Sequence, residues 1–518
     1  MINIKKLLNN KYVLPAIICL GFVLRVFSIS HNHIFFYFDQ ARDATISRQI
    51  IEQKDFKIMG PSVSGTQDSV YHGVLYYYLI APFYYFGHGN PYIVTLFLIT
   101  IGTLSILITY LLGKEVFNSK TTGLIAAFLH ATSVICIHQS TWLSNPTLSG
   151  FFVPLTYYLI WRVFFSSKTQ PVKFFLLLGI SLALSVQSAL QNITILGSIL
   201  IAFIYSLKFH QQVQSFKKMV ILLTAFAMGI MSMVLTEFLM YQRGILSFDT
   251  LNLEEHSASL IQVIQKIILR YYALLADLLN PMAQLPWLVL AVVLLIICLG
   301  KISKKQIIWS LSFILAPIWL LIWHFRDPNH TFIGIEVPTF LLIANGLTNL
   351  ITKNQLKKTL AILFMVVFVF SNISQMLIWK EQQFQYFGIQ KGAFLNSQLQ
   401  LIDKTYSLAN GEPFSFSSLT SPYAINTTWN YLYKWYGQQQ YGFVPSYVGI
   451  NQNNFVGNDI LPEKSSPKSW HFLINEPDTT LSKKMEDDFF LEQKQFSNNQ
   501  ATSANYEFGR LKLMSLHQ

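Results

Sequence analysis

The sequence predicts an α-helical polytopic membrane protein, and three observations predict it. Hydrophobic residues make up 52% and charged residues only 12% of the 518 positions, too apolar a mixture for a soluble chain. Apolar runs of about 17 to 25 residues, the length a helix needs to cross a bilayer, recur as far as Lys380. The basic residues flanking those runs fall on alternate loops, as retention of Lys and Arg on the cytoplasmic side requires.

Eleven spans are expected, at about 12–30, 91–113, 122–140, 146–165, 172–190, 192–208, 218–240, 286–300, 306–324, 332–350 and 358–379. With the N-terminus in the cytoplasm, one set of short loops collects Lys5, Lys6, Lys11, Lys114, Lys120, Arg162, Lys168, Lys173, Lys208, Lys217, Lys218, Lys301, Lys304, Lys305, Lys353, Lys357 and Lys358 against the single acid Glu115. The other acids of this part lie on the opposite side. The net charge of +12 is then a topogenic signal, not a nucleic-acid patch. Cys19, Cys136 and Cys298 sit in expected spans, so neither a disulfide framework nor a thiolate metal site is indicated. The first apolar segment lacks a small-residue cleavage site and reads as a retained span.

Residues 1–379 thus form a transmembrane unit with external loops at about 31–90 and 241–285, and residues 380–518 an external C-terminal domain. In the first loop, Asp39 is placed to cap a helix running to about Gln53 whose mixed surface suits the membrane interface. Gly60-Pro61 ends it. The segment from Val70 to Gly87, rich in tyrosine and broken by Pro82, is expected to be interfacial or re-entrant, because aromatic rings with a polar edge favour that depth. Counting it as a span would invert every later loop. The second loop carries Arg243, Glu254, Glu255, Lys266, Arg270 and Asp277, with a helix expected around 256–279. The tail is polar and turn-rich, and a small mixed α/β fold is expected there. No repeat period is present.

The stretch Tyr37-Phe-Asp39-Gln-Ala-Arg42-Asp43-Ala puts two carboxylates and a guanidinium just outside the first span. Asp39 serves there either as a helix cap or as a general base taking a proton from a hydroxyl, and the two roles are compatible. Arg42 would orient Asp39 or meet a phosphate through its forked donors, or else pair with Asp43 as an interfacial charge. Asp68, His72 and Tyr76 lie where the chain returns to the membrane, and Asn145 and Glu237 stand at the ends of spans on the same side. Asp68 reads rather as a solvent-exposed polar residue. Arg243, Arg270, Arg326 and His330 are candidates for stabilising an anionic leaving group, or juxtamembrane anchors. No second histidine stands at ligand spacing from His72, and His31-Asn-His33 reads as an exposed turn, so no metal site is expected.

The order Asp39-Gln-Ala-Arg42-Asp43-Ala, Gly60-Pro61-Ser62, His72-Gly-Val-Leu-Tyr-Tyr-Tyr-Leu and Trp142-Leu-Ser-Asn145-Pro146 resembles bacterial membrane glycosyltransferases of the GT-C superfamily. More narrowly it resembles family 39, the relatives of protein O-mannosyltransferases and of the lipid A aminoarabinose transferase. The stretches from Glu237 to Arg243 and from Ile335 to Phe340 fit the later part, so the resemblance covers about residues 10–350. The tail fits only loosely, through Tyr431 to Gly437. The resemblance implies a GT-C-like fold and an inverting transferase that takes sugar from a polyprenyl-phosphate-linked donor in the membrane lipid, on the outer face of the cytoplasmic (inner) membrane. Asp39 would activate the hydroxyl of a protein, glycolipid or envelope-polymer acceptor. No cofactor is implied, and a divalent cation is not favoured although other GT-C enzymes use one. Two departures bear on the acceptor: Asn145-Pro146 stands where the aminoarabinose transferase has an acid before proline, and His72-Gly73 replaces a Lys-Pro-Pro or His-Pro entry. A transporter or flippase of lipid-linked saccharides is the competing class, and would predict charges near mid-span and related halves; a non-catalytic scaffold is a third.

Overall fold

The computed structural model describes residues 10–517 apart from 62–70, 167–168, 210–215, 244–259, 283, 323–328, 450–454, 465–467, 478–480 and 497–501. Its first part is helical: α1 (Val13–Ser28), α2 (Phe38–Glu52), α3 (Leu75–Phe86), α4 (Pro91–Val116), α5 (Lys120–Thr132), α6 (Val134–Thr141), α7 (Asn145–Phe165), α8 (Val172–Ser188) and α9 (Leu190–Lys208). There follow α10 (Phe216–Gly229), α11 (Met231–Gln242), α12 (Leu260–Leu279), α13 (Pro286–Cys298), α14 (Lys304–Ile314), α15 (Ile318–Ile322), α16 (Glu336–Ile351) and α17 (Gln355–Glu381).

Among the described residues, four of these helices are long and apolar enough to cross a membrane, or six if each bent pair is one span, against the eleven expected. The others are interrupted. α1 has 16 residues and α13 only 13, which at about 1.5 Å per residue falls short of a hydrocarbon core of about 30 Å. The expected span 306–324 is split between α14 and α15, with Pro317 in the gap. Apolar side chains nevertheless cover the outer surface of this unit: Leu200, Ile204, Leu294, Leu363, Val366 and Phe370 are all exposed.

Two pairs are bent sharply, α5 with α6 by 62° and α10 with α11 by 56°. At the first bend Ser133 is extended and interrupts the helix, and the N–H of Val134 that begins α6 is taken by the Asn372 side chain of α17 at 2.9 Å. A broken helix leaves unpaired backbone groups inside the bundle, so each must find such a partner.

The tail forms an α/β unit. α18 (Leu395–Ala409) precedes β1 (Phe414–Leu419), α19 (Thr427–Leu432), β2 (Ser446–Tyr447), β3 (Trp470–Asn475), α20 (Lys483–Phe496), β4 (Thr502–Phe508) and β5 (Leu511–His517). The sheet order is β2-β1-β3-β5-β4, parallel through the first three strands and antiparallel at β3–β5 and β5–β4. This unit is stitched to the first loop. Phe36 N–H donates to Ala393 O at 2.9 Å, Leu395 N–H to Ile34 O at 2.8 Å, and the Gln398 amide to Phe36 O at 2.8 Å. Tyr431 adds a bond from its hydroxyl to Gly89 O at 2.6 Å. α2 is therefore covered on both sides, by α3 and by α19, whereas the sequence predicts a helix whose mixed surface lies along the membrane interface. His33 likewise stacks on Phe394 at 4.3 Å and is not part of an open turn.

Candidate active site

α2 starts at Phe38, and Gln40 reaches back to accept the Tyr37 N–H at 3.1 Å. Asp39 thus sits inside the first turn and is not the cap: Tyr37 holds the N-cap position, and Gln40 secures that residue's own N–H. Its charge still lies at the positive end of the helix dipole. Three residues on, one guanidinium holds two carboxylates. Arg42 Nη1 donates to Asp39 Oδ1 at 2.7 Å, while Nη2 and Nε donate to Asp43 Oδ1 at 2.7 and 2.9 Å. The side chains differ in access: Asp43 is 2% exposed, Arg42 13% and Asp39 35%. Asp39 is the open member of the triad. Among the described residues its second oxygen makes no hydrogen bond.

Burial pushes the Asp43 carboxyl up to about 6, with Arg42 acting against it. Tyr76 and Tyr77 of α3 stand behind this pair, and burial and then the Asp43 charge push both phenols upward. Tyr76 is fully buried, so it backs Asp43 and does not line an open site; α3 turns Tyr76, Ile80 and Tyr84 inward against α2. Asp43 Oδ2 and the Tyr76 hydroxyl have no hydrogen-bond partner among the described residues.

Two histidines share the electrostatic neighbourhood. Burial pushes His330 down to about 4, opposed by Asp39, and pushes His72 down to about 3, aided by His330 and Arg42. Both are therefore neutral near pH 7, and His330 can offer an N–H there but no positive charge. His72 Nδ1 accepts the Leu190 N–H at 3.1 Å, which leaves the ring proton on Nε2. Gly73 explains the His-Gly pair: a Cβ there would collide with the Gln187 side chain, whose Oε1 accepts the Leu75 N–H at 3.2 Å. Asn145 belongs to the same corner, donating to Ser188 O at 2.7 Å.

Arg270 reaches the cluster indirectly. It donates to Asn329 Oδ1 at 2.9 Å and lies 5.0 Å over the Phe332 ring, holding the turn that carries His330. Glu237 is half-buried on α11 and Arg243 is exposed at its end; neither has a described contact with the triad. Asp68 and Arg326 lie outside the described residues. Reasoning from sequence did not single out Trp142 as a site residue, although the Trp142-Leu-Ser-Asn145 string marked the place. Its ring stacks on Phe387 at 5.4 Å and leans on His330 at 5.6 Å. It also missed the Tyr386 hydroxyl donating to Asp277 at 2.9 Å, a link from the tail to α12 that no local pattern signals. Among the described residues no group of three or more His, Cys, Asp or Glu is arranged to hold a metal ion.

Residues 68–252 match the family described as dolichyl-phosphate-mannose-protein mannosyltransferase, a span that begins after the Asp39 triad. No curated protein matches the chain. Among solved structures, ArnT from Cupriavidus metallidurans bound to undecaprenyl phosphate superposes with a TM-score of 0.54 at 11% identity, over 96% of this chain and 97% of that one. The same protein in its apo state gives 0.53 at 11% identity with the same coverage. Arabinofuranosyltransferase AftD from Mycobacteria gives 0.51 at 11% identity, over 98% of this chain and 40% of that one. At such identities the likeness is one of fold. The chain is thus similar to the mannosyltransferase family over residues 68–252 and shares the fold of ArnT and AftD.

Proposed function

We propose that this protein transfers a sugar from a polyprenyl-phosphate-linked donor to a hydroxyl acceptor, at the outer face of the cytoplasmic membrane and with inversion, using Asp39 as general base. The observation that carries the reading is the graded exposure of the triad: a carboxylate oxygen left accessible and held by a guanidinium that is itself fixed to a buried acid. Asp39 would take the acceptor proton as the acceptor oxygen forms its bond to the anomeric carbon. The bond from that carbon to the phosphate oxygen breaks on the opposite face, and its electron pair leaves with the polyprenyl phosphate. Arg42 would orient Asp39, with His72 and His330 as neutral N–H donors toward the developing negative charge and Arg270 steadying the His330 turn. Holding both reactants at one interface supplies much of the rate through orientation. The undecaprenyl phosphate bound to ArnT supports a polyprenyl phosphate as the lipid, and the sorting of Lys and Arg supports an external C-terminal unit.

The test is purified protein in lipid nanodiscs, incubated with radiolabelled polyprenyl-phosphate sugars and a membrane extract, with the labelled product identified. Transfer by the wild type and its loss in Asp39→Asn is the expected result. Equal labelling by both proteins would remove Asp39 from the mechanism.

A further inference from the structure

Arg25 is an ionisable residue within the first apolar helix, and it is completely buried. Among the described residues no carboxylate pairs with it. Its donors go instead to Gly21 O at 2.9 Å, to Ala131 O and Cys136 O at 3.4 Å each, and to Ser140 Oγ at 2.9 Å. Three of these four acceptors lie on the two sides of the 62° break: Ala131 in the last turn of α5, Cys136 and Ser140 on α6. The cradle is built for it. A Cβ on Gly21 would press on the guanidinium and on Ile106, and one on Gly102 would strike Ser140, so one glycine on Arg25's own helix and one on α4 open the space.

A charged group so placed is costly unless its donors are used; the end of α5 at the break supplies Ala131 O, one of the carbonyls a helix terminus leaves without an intrahelical partner, and α6 adds Cys136 O, which also accepts the Ser140 hydroxyl at 2.7 Å. Asn372 meets the opposite need, accepting the Val134 N–H that the same break exposes. The bend matters to the site because α6 runs straight into Trp142, which leans on His330, and then into Asn145.

We propose that Arg25 is a positioning residue: it pins the α5–α6 break and so sets where Trp142 and Asn145 stand beside the Asp39 cluster. The kinetic part of this proposal rests on the transferase reading above; the structural part does not.

The chain provides its own probe. Cys136 is buried at the pin, whereas Cys19 and Cys298 are exposed. In a Cys19→Ser, Cys298→Ser background, labelling of Cys136 by N-ethylmaleimide in nanodiscs reports opening of the break. Arg25→Met keeps the bulk and removes the donors, and is expected to raise the labelling rate by about tenfold or more, with Arg25→Lys in between. In the transfer assay Arg25→Met is expected to lower kcat with little change in KM for the lipid donor, and Arg25→Lys to restore part of it. Protein that remains monodisperse and shows unchanged Cys136 labelling in Arg25→Met would overturn the pin. Faster labelling with unaltered kcat would overturn its link to the site. A wild type with no transfer activity would instead sink the transferase reading, while the labelling result would still decide the pin.

Discussion

Arg25 and Arg42 are both taken out of water, yet they are used in opposite ways. Arg42 spreads its fork over two carboxylates, one sealed and one open, so charge reaches the surface at Asp39. Arg25 spends every described contact on carbonyl and hydroxyl oxygens and makes none with an acid. The difference teaches that what surrounds a buried guanidinium decides whether it serves chemistry or geometry. Beside carboxylates it adjusts their basicity and offers a charged edge to a ligand. Among carbonyl and hydroxyl oxygens on both sides of a break it becomes a fastener for a helix that cannot fasten itself.

The largest expected effect removes the open end of the Arg42 arrangement. Asp39→Asn should lower kcat by about 10²- to 10⁴-fold, the usual contribution of a general base, with little change in melting temperature. A variant that melts early and transfers normally would make Asp39 a structural residue like those around Arg25. Next comes Arg42→Met, which strands Asp43 as a buried acid without its partner and should cost about 3–5 kcal/mol in folding, measured by thermal or denaturant unfolding.

A pH series separates the two sites. The Asp43 carboxyl titrates at about 6 in the folded chain against 3.8 when free, so between those values the folded chain holds a proton the unfolded chain lacks. Its contribution to stability is full below about pH 3.8 and is lost as pH rises through about 6. Transfer should run the other way, falling as pH drops through about 6, because a neutral Asp43 leaves Arg42 wholly to Asp39 and weakens that base. Asp43→Asn should abolish both trends, seen as flattened melting and rate profiles. On the other arginine, Ser140→Ala removes one acceptor from a buried charged donor and should cost about 1.5–3 kcal/mol. Arg243→Ala is exposed and away from both arginines, and should change stability by no more than about 0.5 kcal/mol.

Much of this was legible in the sequence, and for identifiable reasons. Charge pattern and apolar runs are local signals, so the helical membrane class and the Asp39-Arg42-Asp43 cluster follow from them, whereas the polar, turn-rich tail points to mixed α/β character but not to its strand order. Short strings in order carried the resemblance that the fold comparison bears out. The break at Ser133 was not legible, because residues 122–140 read as one apolar run and the bend is stabilised by Arg25 and Asn372 from distant parts of the chain. Nor was the inward turn of Tyr76, since a tyrosine-rich helix looks the same whether its rings face lipid or a neighbouring helix. The α19 side of the cover over α2, and the strand-like bonds of Ile34 and Phe36, come from residues beyond 390, a long-range pairing that no window on the first loop contains.

That same pairing has a consequence for how the molecule comes into being. The ribosome delivers Asp39 long before the Ala393 to Gln398 segment that clasps its loop. Until that segment emerges the loop stands without its clasp, and a chain stopped short of it would leave the surroundings of Asp39 unsupported. On the transferase reading, competence waits on a distant stretch of the same chain, a dependence written into the order of translation itself.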